Sequence, residues 1–267
     1  MRFDLFVTDF DGTLGVAPDF IEEETVKAVK EYVARGGKFA IVTGRMYSSI
    51  RPICLKYGFK GIVISYQGAM INDIETGKSL FQGGIDYELA SKVAKDFIAE
   101  GVQTVVDIDD EMIYNMRSDY TDFYENAVGV KGRLEENLVE YVLKEKKVAQ
   151  KVGTICSPED SLRLTEKYQK IYGDKLIINN GSRHLVEVVS PTCSKGVAVK
   201  FLANYYNIPL DRIIAVGDST NDIELLKGEW HGVCVGDGRE ELKAIAKEIT
   251  LPYKDKPVKY LLEKYCL

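Results

Sequence analysis

Leu5-Phe6-Val7-Thr8-Asp9-Phe10-Asp11-Gly12-Thr13-Leu14 is the stretch on which the fold turns. Phe3 to Val7 carries few charges and is rich in β-branched and aromatic residues, which predicts a buried strand. Gly12 takes backbone angles closed to other residues, so the chain can turn sharply just after two acids. In open parallel sheets the carboxyl ends of the strands line the ligand crevice. Asp9 and Asp11 would open into it. A carboxylate there can attack phosphorus, and a second one two residues on can handle the proton. Taken alone, the Asp-Gly pair is equally a turn dipeptide whose acids are solvated or cap a helix.

Outward from this stretch, strands and helices alternate. Ile21 to Ala34 has apolar residues at helical spacing, acids Glu22 to Glu24 in its first turn and Gly36-Gly37 at its end. Lys38 to Val42 predicts a second strand closing into Thr43-Gly44-Arg45. Tyr47 to Tyr57 predicts a helix stopped by Gly58, with Pro52 obscuring its start. Gly61 to Ser65 reads as a third strand. Repeated strand-helix-strand units imply right-handed crossovers and a parallel sheet. The carboxyl-terminal third repeats the pattern, with a helix over Lys195 to Tyr206 and a strand over Arg212 to Val216 ending in Gly217-Asp218. A helix starting over Asp222 to Leu226, a short strand Val233 to Val235 and a helix Glu240 to Lys247 follow.

Between the two ends the texture changes. Tyr87 to Glu100 and Glu159 to Tyr172 are helical. Thr104 to Asp109 and Met112 to Met116 read as a hairpin around Asp109-Asp110-Glu111. Lys175 to Asn179 and His184 to Val189 flank an Asn180-Gly181 turn. Hairpins here against crossovers outside predict an α/β protein. Its Rossmann-like parallel-sheet core spans 1–81 and 186–267, and an α+β module spanning 82–185 is inserted into it.

A chain of 267 residues can bury a sizeable core. With 35 basic against 41 acidic residues, the net charge of −6 argues against nucleic acid or an anionic membrane surface as partner. No run approaches the roughly 18 apolar residues that cross a bilayer. Acids at Asp4 and Asp9 interrupt any secretory apolar region, so the cytoplasm is the expected location. Cys54, Cys156, Cys193, Cys234 and Cys266 form no close-spaced pair and leave one over, as reduced intracellular thiols do. His184 and His231 lie far apart with no CxxC nearby, which leaves zinc unsupported.

The remaining chemistry sits at the predicted strand ends. Thr43 offers a hydroxyl and Gly44 an unobstructed amide, both suited to an anionic oxygen. Lys195 heads a helix, where the dipole disfavours a cation unless an anion lies nearby. Gly217-Asp218-Ser219-Thr220-Asn221-Asp222 adds two more acids. Four carboxylates in one crevice repel unless a cation holds them, and oxygen-only ligands favour Mg²⁺ over zinc.

The order DFDGTL, VTGR, Lys195 in Ser-Lys-Gly, then GDSTND resembles the haloacid dehalogenase-like phosphohydrolases over nearly the whole chain. Within them it is similar to the Cof-type branch, with a large cap (type IIB) after the third strand; the inserted module would then be the cap that sets substrate specificity. Ser65-Tyr66-Gln67-Gly68-Ala69 departs from the family's Asn-Gly-Ala, with Gln67 at the Asn position. The resemblance implies Asp9 as nucleophile forming an aspartyl-phosphate, and Asp11 as the acid that protonates the leaving oxygen and later deprotonates water. It implies Mg²⁺ on Asp9, the Asp11 backbone carbonyl and Asp218. Thr43, Gly44, Lys195 and Asn221 would then contact phosphate, with Asp222 orienting Lys195 or the metal waters. Arg45 stays open between a substrate contact and a structural ion pair. Thr43 and Asp222 could also cap helices. Arg183 and His184 fit turn or strand-surface positions, and His231 beside Trp230 fits packing. Tyr114, Arg117 and Tyr120 are candidate pocket residues. The implied function is a Mg²⁺-dependent phosphatase acting on phosphate monoesters of small metabolites, such as sugar phosphates or phosphorylated cofactors. A phosphomutase and a catalytically silent phosphate-binding regulatory module are the alternatives, and nothing in the sequence sets an oligomeric state.

Overall fold

In the computed structural model, residues 1–180 and 183–267 are described in full, and at 181 and 182 only the strand backbone is. The chain opens with β1 (Leu5–Asp9), α1 (Glu23–Ala34), β2 (Lys38–Val42), α2 (Tyr47–Lys56) and β3 (Ile62–Ser65), then β4 (Met70–Asp73) and β5 (Ser79–Gln82). α2 runs through Pro52. The middle of the chain comprises α3 (Tyr87–Ala99), β6 (Gln103–Ile108), β7 (Glu111–Tyr114), α4 (Thr121–Val128), β8 (Arg133–Leu134), α5 (Leu138–Glu145), β9 (Lys151–Ile155), α6 (Pro158–Tyr172), β10 (Ile177–Ser182) and β11 (Leu185–Val189). The return comprises α7 (Lys195–Tyr206), β12 (Ile213–Gly217), α8 (Ile223–Leu226), β13 (His231–Cys234), α9 (Glu240–Lys243), β14 (Glu248–Ile249) and α10 (Pro257–Tyr265).

Two compact units result: Met1–Phe81 with Ser194–Leu267, and Gln82–Cys193. The return boundary falls after Cys193 and not, as expected, after 185. The reason is that Leu185–Val189 pairs antiparallel with both β9 and β10, so its hydrogen bonds tie it to the second unit.

The first unit holds an eight-stranded sheet in the order β14-β13-β12-β1-β2-β3-β4-β5. Its pairs from β14 through β3 are parallel, and β4 turns back antiparallel to β3. Both faces are covered, so the central strands are apolar throughout. Phe6, Ile41, Val63 and Ile214 point into one core with Val29, Ile50 and Leu261. Leu5, Val7, Ala40, Val42 and Ala215 point into the other with Val199, Leu202 and Trp230. Strand period two thus divides one short sequence between two cores.

The second unit holds a six-stranded sheet, β10-β11-β9-β6-β7-β8, antiparallel except for β7 with β8. Ala90, Val93 and Phe97 of α3, Val142 of α5 and Leu164 and Tyr168 of α6 pack with Val106, Val152, Val186 and Val188 from one sheet face. The β6–β7 hairpin turns at Asp109 and Asp110, whose φ values of 53° and 65° supply the left-handed pair that a tight hairpin needs. The turn expected at Asn180-Gly181 lies partly outside the described residues; β10 continues to Ser182, and the chain turns at Arg183-His184. All five cysteines are free and buried. Among the described residues no helix is long and apolar enough to cross a membrane.

Candidate active site

The parallel strands β12, β1 and β2 are adjacent and in register, with Thr8 opposite Val216 and Asp9 opposite Val42. Their carboxyl ends therefore reach one edge together, and the residues just beyond them, Asp218, Phe10-Asp11 and Thr43, share it. Asp9 is the last residue of β1 and is 5 % exposed. After it the chain reverses tightly, with the amides of Leu14 and Gly15 donating to Phe10 O and that of Gly12 to Gly15 O. Gly12 has φ +83°, and a Cβ on it would stand 2.7 Å from Asp218 Oδ2. Glycine is needed both for the turn and for the close approach of the opposing acid.

Lys195, the first residue of α7, is 1 % exposed. Its Nζ donates to Asp9 Oδ1 at 2.6 Å and to Asp222 Oδ1 at 2.6 Å. The conflict between a cation and a helix amino terminus is thus resolved by two acids from other segments. Asp222 is also anchored from behind, since its Oδ2 accepts from the amides of Asp218 and Ser219, each at 3.0 Å. Its capping of the turn after β12 and its hold on Lys195 are simultaneous. Asp218 Oδ1 accepts from the Thr13 hydroxyl at 2.9 Å, a partner 205 residues away.

Arg45 is committed to an ion pair. Its Nε and Nη2 donate to the two Asp11 oxygens at 2.8 and 2.6 Å, its Nη1 donates to Pro18 O at 2.8 Å, and its guanidinium lies 4.6 Å from the Phe10 ring centre. Thr43 is buried and accepts from the Arg45 amide at 3.2 Å. It does not cap α2, whose N-cap residue is Met46. Gly44 is half-buried against the Gln67 carboxamide, and Asn221 is exposed in the same turn as Asp222.

The electrostatics are unbalanced. Asp9, Asp218 and Asp222 each present an oxygen, all within 4.8 Å of one another. Burial pushes the Asp9 carboxyl well above the usual range, against the pull of Lys195, and Asp222 and Asp218 push it further. Burial raises Asp218 to about 6, the Thr13 hydroxyl opposing and Asp222 assisting. Burial works against the Lys195 ammonium, yet Asp222 and Asp9 outweigh it and hold its pKa above the ordinary lysine value. One ammonium cannot neutralise three carboxylates, of which Asp9 and Asp222 are buried and Asp218 half-buried. Oxygen donors without histidine at this spacing fit a hard divalent cation.

Direct contacts therefore join Asp9, Lys195, Asp222, Asp218 and Thr13, and separately Asp11 with Arg45. Thr13 escaped the sequence reading because a hydroxyl inside a turn motif gives no sign of a partner so distant in the chain. His231 packs as expected, stacked 5.4 Å from the Phe3 ring with Nε2 2.8 Å from Glu248. In the second unit Tyr114 is fully buried, Arg117 pairs with Asp122 and Glu125, and Tyr120 stacks on His184 at 4.8 Å.

The chain belongs to the haloacid dehalogenase-like hydrolases, whose family model matches residues 6–262. It is a phosphatase of that family. It is 24 % identical to the 5-amino-6-(5-phospho-D-ribitylamino)uracil phosphatase of Bacillus subtilis, over 98 % of this chain and 97 % of that protein. It is also 26 % identical, over 93 % of its own length, to a chloroplastic endoribonuclease of Arabidopsis thaliana, but spans only 44 % of that protein. A crystal structure from Thermotoga maritima superposes with a TM-score of 0.87 at 26 % identity, covering 98 % of this chain and 97 % of that one.

Proposed function

We propose that this phosphatase hydrolyses phosphate monoesters of small metabolites, sugar phosphates or phosphorylated cofactors, through an aspartyl-phosphate on Asp9. The observation that carries this reading is a buried carboxylate at a strand end, held by Lys195 and backed by two further acids, with Asp11 two residues on. In the first step an Asp9 oxygen attacks phosphorus, the bond to the leaving oxygen breaks, and Asp11 delivers a proton to that oxygen. In the second, Asp11 takes a proton from water, the water oxygen attacks phosphorus, and Asp9 leaves with both bonding electrons.

Thr43, Gly44 and Lys195 would hold the phosphoryl oxygens, with Asn221 at the rim, so that much of the catalysis is positioning and charge compensation. Asp222 orients Lys195. The Arg45 pair engages both Asp11 oxygens and fixes how the carboxyl is turned. Mg²⁺ would be held by Asp9, the Asp11 carbonyl and Asp218. Bound there, it would offset the negative charge of a phosphate meeting a carboxylate. The second unit, 82–193, would be the cap that selects the leaving group, and the cytoplasm is its proposed location.

The test is a panel of phosphorylated metabolites incubated with Mg²⁺ and scored for free inorganic phosphate. Release from monoesters is expected. An isomerised phosphate ester with no net release, dependent on a bisphosphate primer, would overturn hydrolysis in favour of phosphoryl transfer.

A further inference from the structure

The segment after β3 makes a hook whose chemistry the proposed reaction leaves unused. Tyr66 and Gln67 are consecutive non-glycine residues with left-handed backbones, φ 51° and 59°. Such conformations are strained for side-chain-bearing residues and persist where the surroundings enforce them. Here the enforcing contacts face the turn assigned to phosphate. The Gln67 amide donates to Thr43 O at 2.9 Å, and the Tyr66 amide to Arg45 O at 3.0 Å. The Thr43 amide returns a bond to Ile64 O at 2.9 Å.

The side chain of Gln67 lies over Gly44. A Cβ added at Gly44 would stand 2.5 Å from Gln67 Nε2, and its next two neighbours would also be carboxamide atoms of Gln67. At the other end of that carboxamide, Oε1 is buried with no hydrogen-bond partner among the described residues. Buried amides are rarely left so, which marks a side chain placed by packing and not by its own hydrogen bonding. The hook touches a second phosphate-holding segment as well. Gly68 has φ +119°, and a Cβ there would stand 2.5 Å from Ser194 O, next to Lys195.

We infer that Gln67 is a positioning residue: its carboxamide wedges Gly44, its backbone holds Thr43, and through Gly68 the same hook abuts the segment that carries Lys195. This rests on the reading of Thr43, Gly44 and Lys195 as the phosphate contacts. The hook sets the spacing between them, a job for which a side chain reaching as far as glutamine suits this chain.

Gln67→Gly tests this without adding backbone strain, because glycine accepts the left-handed angles. Binding of inorganic phosphate in the presence of Mg²⁺, measured by calorimetry, is expected to weaken roughly tenfold, less than the roughly hundredfold cost of a full ångström of misplacement, with KM rising in step and kcat falling less. Amide exchange at Thr43 to Arg45 should quicken while β1 and β2 keep their protection, which separates the effect from unfolding. Gly44→Ala should weaken phosphate binding in the natural background, and far less when added to Gln67→Gly, because the clash is with Gln67 alone. Independent, additive effects of the two substitutions, or unchanged exchange and phosphate affinity in Gln67→Gly, would overturn the inference. If the unmutated protein binds no phosphate while exchange at Thr43 to Arg45 still responds to Gln67→Gly, the bracing stands and the phosphatase site assignment fails.

Discussion

Each unit of this protein buries a lysine between two carboxylates, and the two clusters differ in what they can do. In the first unit Lys195 bonds Asp9 and Asp222, both at 2.6 Å, at the ends of parallel strands. In the second, Lys151 lies 3.3 Å from Asp107, 3.3 Å from Glu187 and 3.0 Å from the Tyr124 hydroxyl. Asp107 and Lys151 are directly opposed across β6 and β9, and neither Asp107 oxygen makes a hydrogen bond among the described residues. A facing pair on an antiparallel sheet is covered by whatever packs on that face, here Tyr124 of α4. Loops beyond parallel strand ends are free to bring in a third acid, hydroxyls and backbone amides. Among the described residues the only three-acid group spaced for a cation is Asp9, Asp218 and Asp222. Burial and ion pairing alone thus do not make a site; convergence at a strand edge does.

The comparison breaks most sharply at Asp9, the proposed nucleophile. Asp9→Asn is expected to lower kcat at least a thousandfold, on the order seen when a nucleophile is removed. Asp107→Asn should leave turnover within about twofold, since an isosteric neutral residue there removes a charge and little else. Steady-state phosphate release by both variants checks this, with mass spectrometry confirming that the amide introduced by Asp9→Asn has not reverted to the acid. Comparable losses would erase the distinction between the clusters.

Next come the lysines. Lys195→Met should cost activity at least about a hundredfold through lost transition-state contact, and stability by about 3–5 kcal/mol because two buried acids lose their cation. Lys151→Met should cost stability in the same sense and leave most activity in the fraction that folds. Denaturant melts alongside kinetics separate the two.

A smaller effect distinguishes the third acid. Millimolar Mg²⁺ should raise the thermal midpoint of the natural protein by binding only its folded form. Asp218→Asn should abolish that rise, whereas Asp107→Asn should preserve it. An unchanged Mg²⁺ response in Asp218→Asn would remove Asp218 from the proposed metal shell.

The smallest expected effect is a pH dependence in the second unit. Burial, opposed by Lys151, raises Asp107 to about 6 from an ordinary 3.8. Between those values the folded state keeps a proton that the unfolded chain has lost, so Asp107 makes stability fall as pH rises from about 4 to 6. Asp107→Asn should flatten that part of the profile, by on the order of 1–3 kcal/mol across the window. Parallel profiles for the two proteins would show that Asp107 titrates normally.

Much of the fold was legible because its signals are local. Apolar runs broken by glycine mark the strands of the parallel sheet, and the spacing of Val26, Val29 and Val33 marks α1. The hairpin turn at Asp109-Asp110 was equally plain. The return boundary was misplaced because β11 reads as a strand without saying which sheet it joins. The turn between β10 and β11 was misplaced because Asn-Gly is a strong hairpin signal even where pairing continues past it. At the site, Lys195 stood out as a cation where helix rules do not want one, and Asp9, Asp11 and Asp218 as acids where apolar strands end beside glycine. Arg45 could not be resolved from sequence, since its choice between substrate and Asp11 depends on the path of the chain between Phe10 and Pro18.

By itself the sequence determined which acids, hydroxyls and cations follow the strands and in what order they meet strand ends, because strand period and turn chemistry act over a few residues. Only the tertiary structure decided partners: Thr13 to Asp218, Asp222 to Lys195, Gln67 to Gly44. Those contacts span tens to hundreds of residues and depend on sheet order and register, which no local pattern encodes.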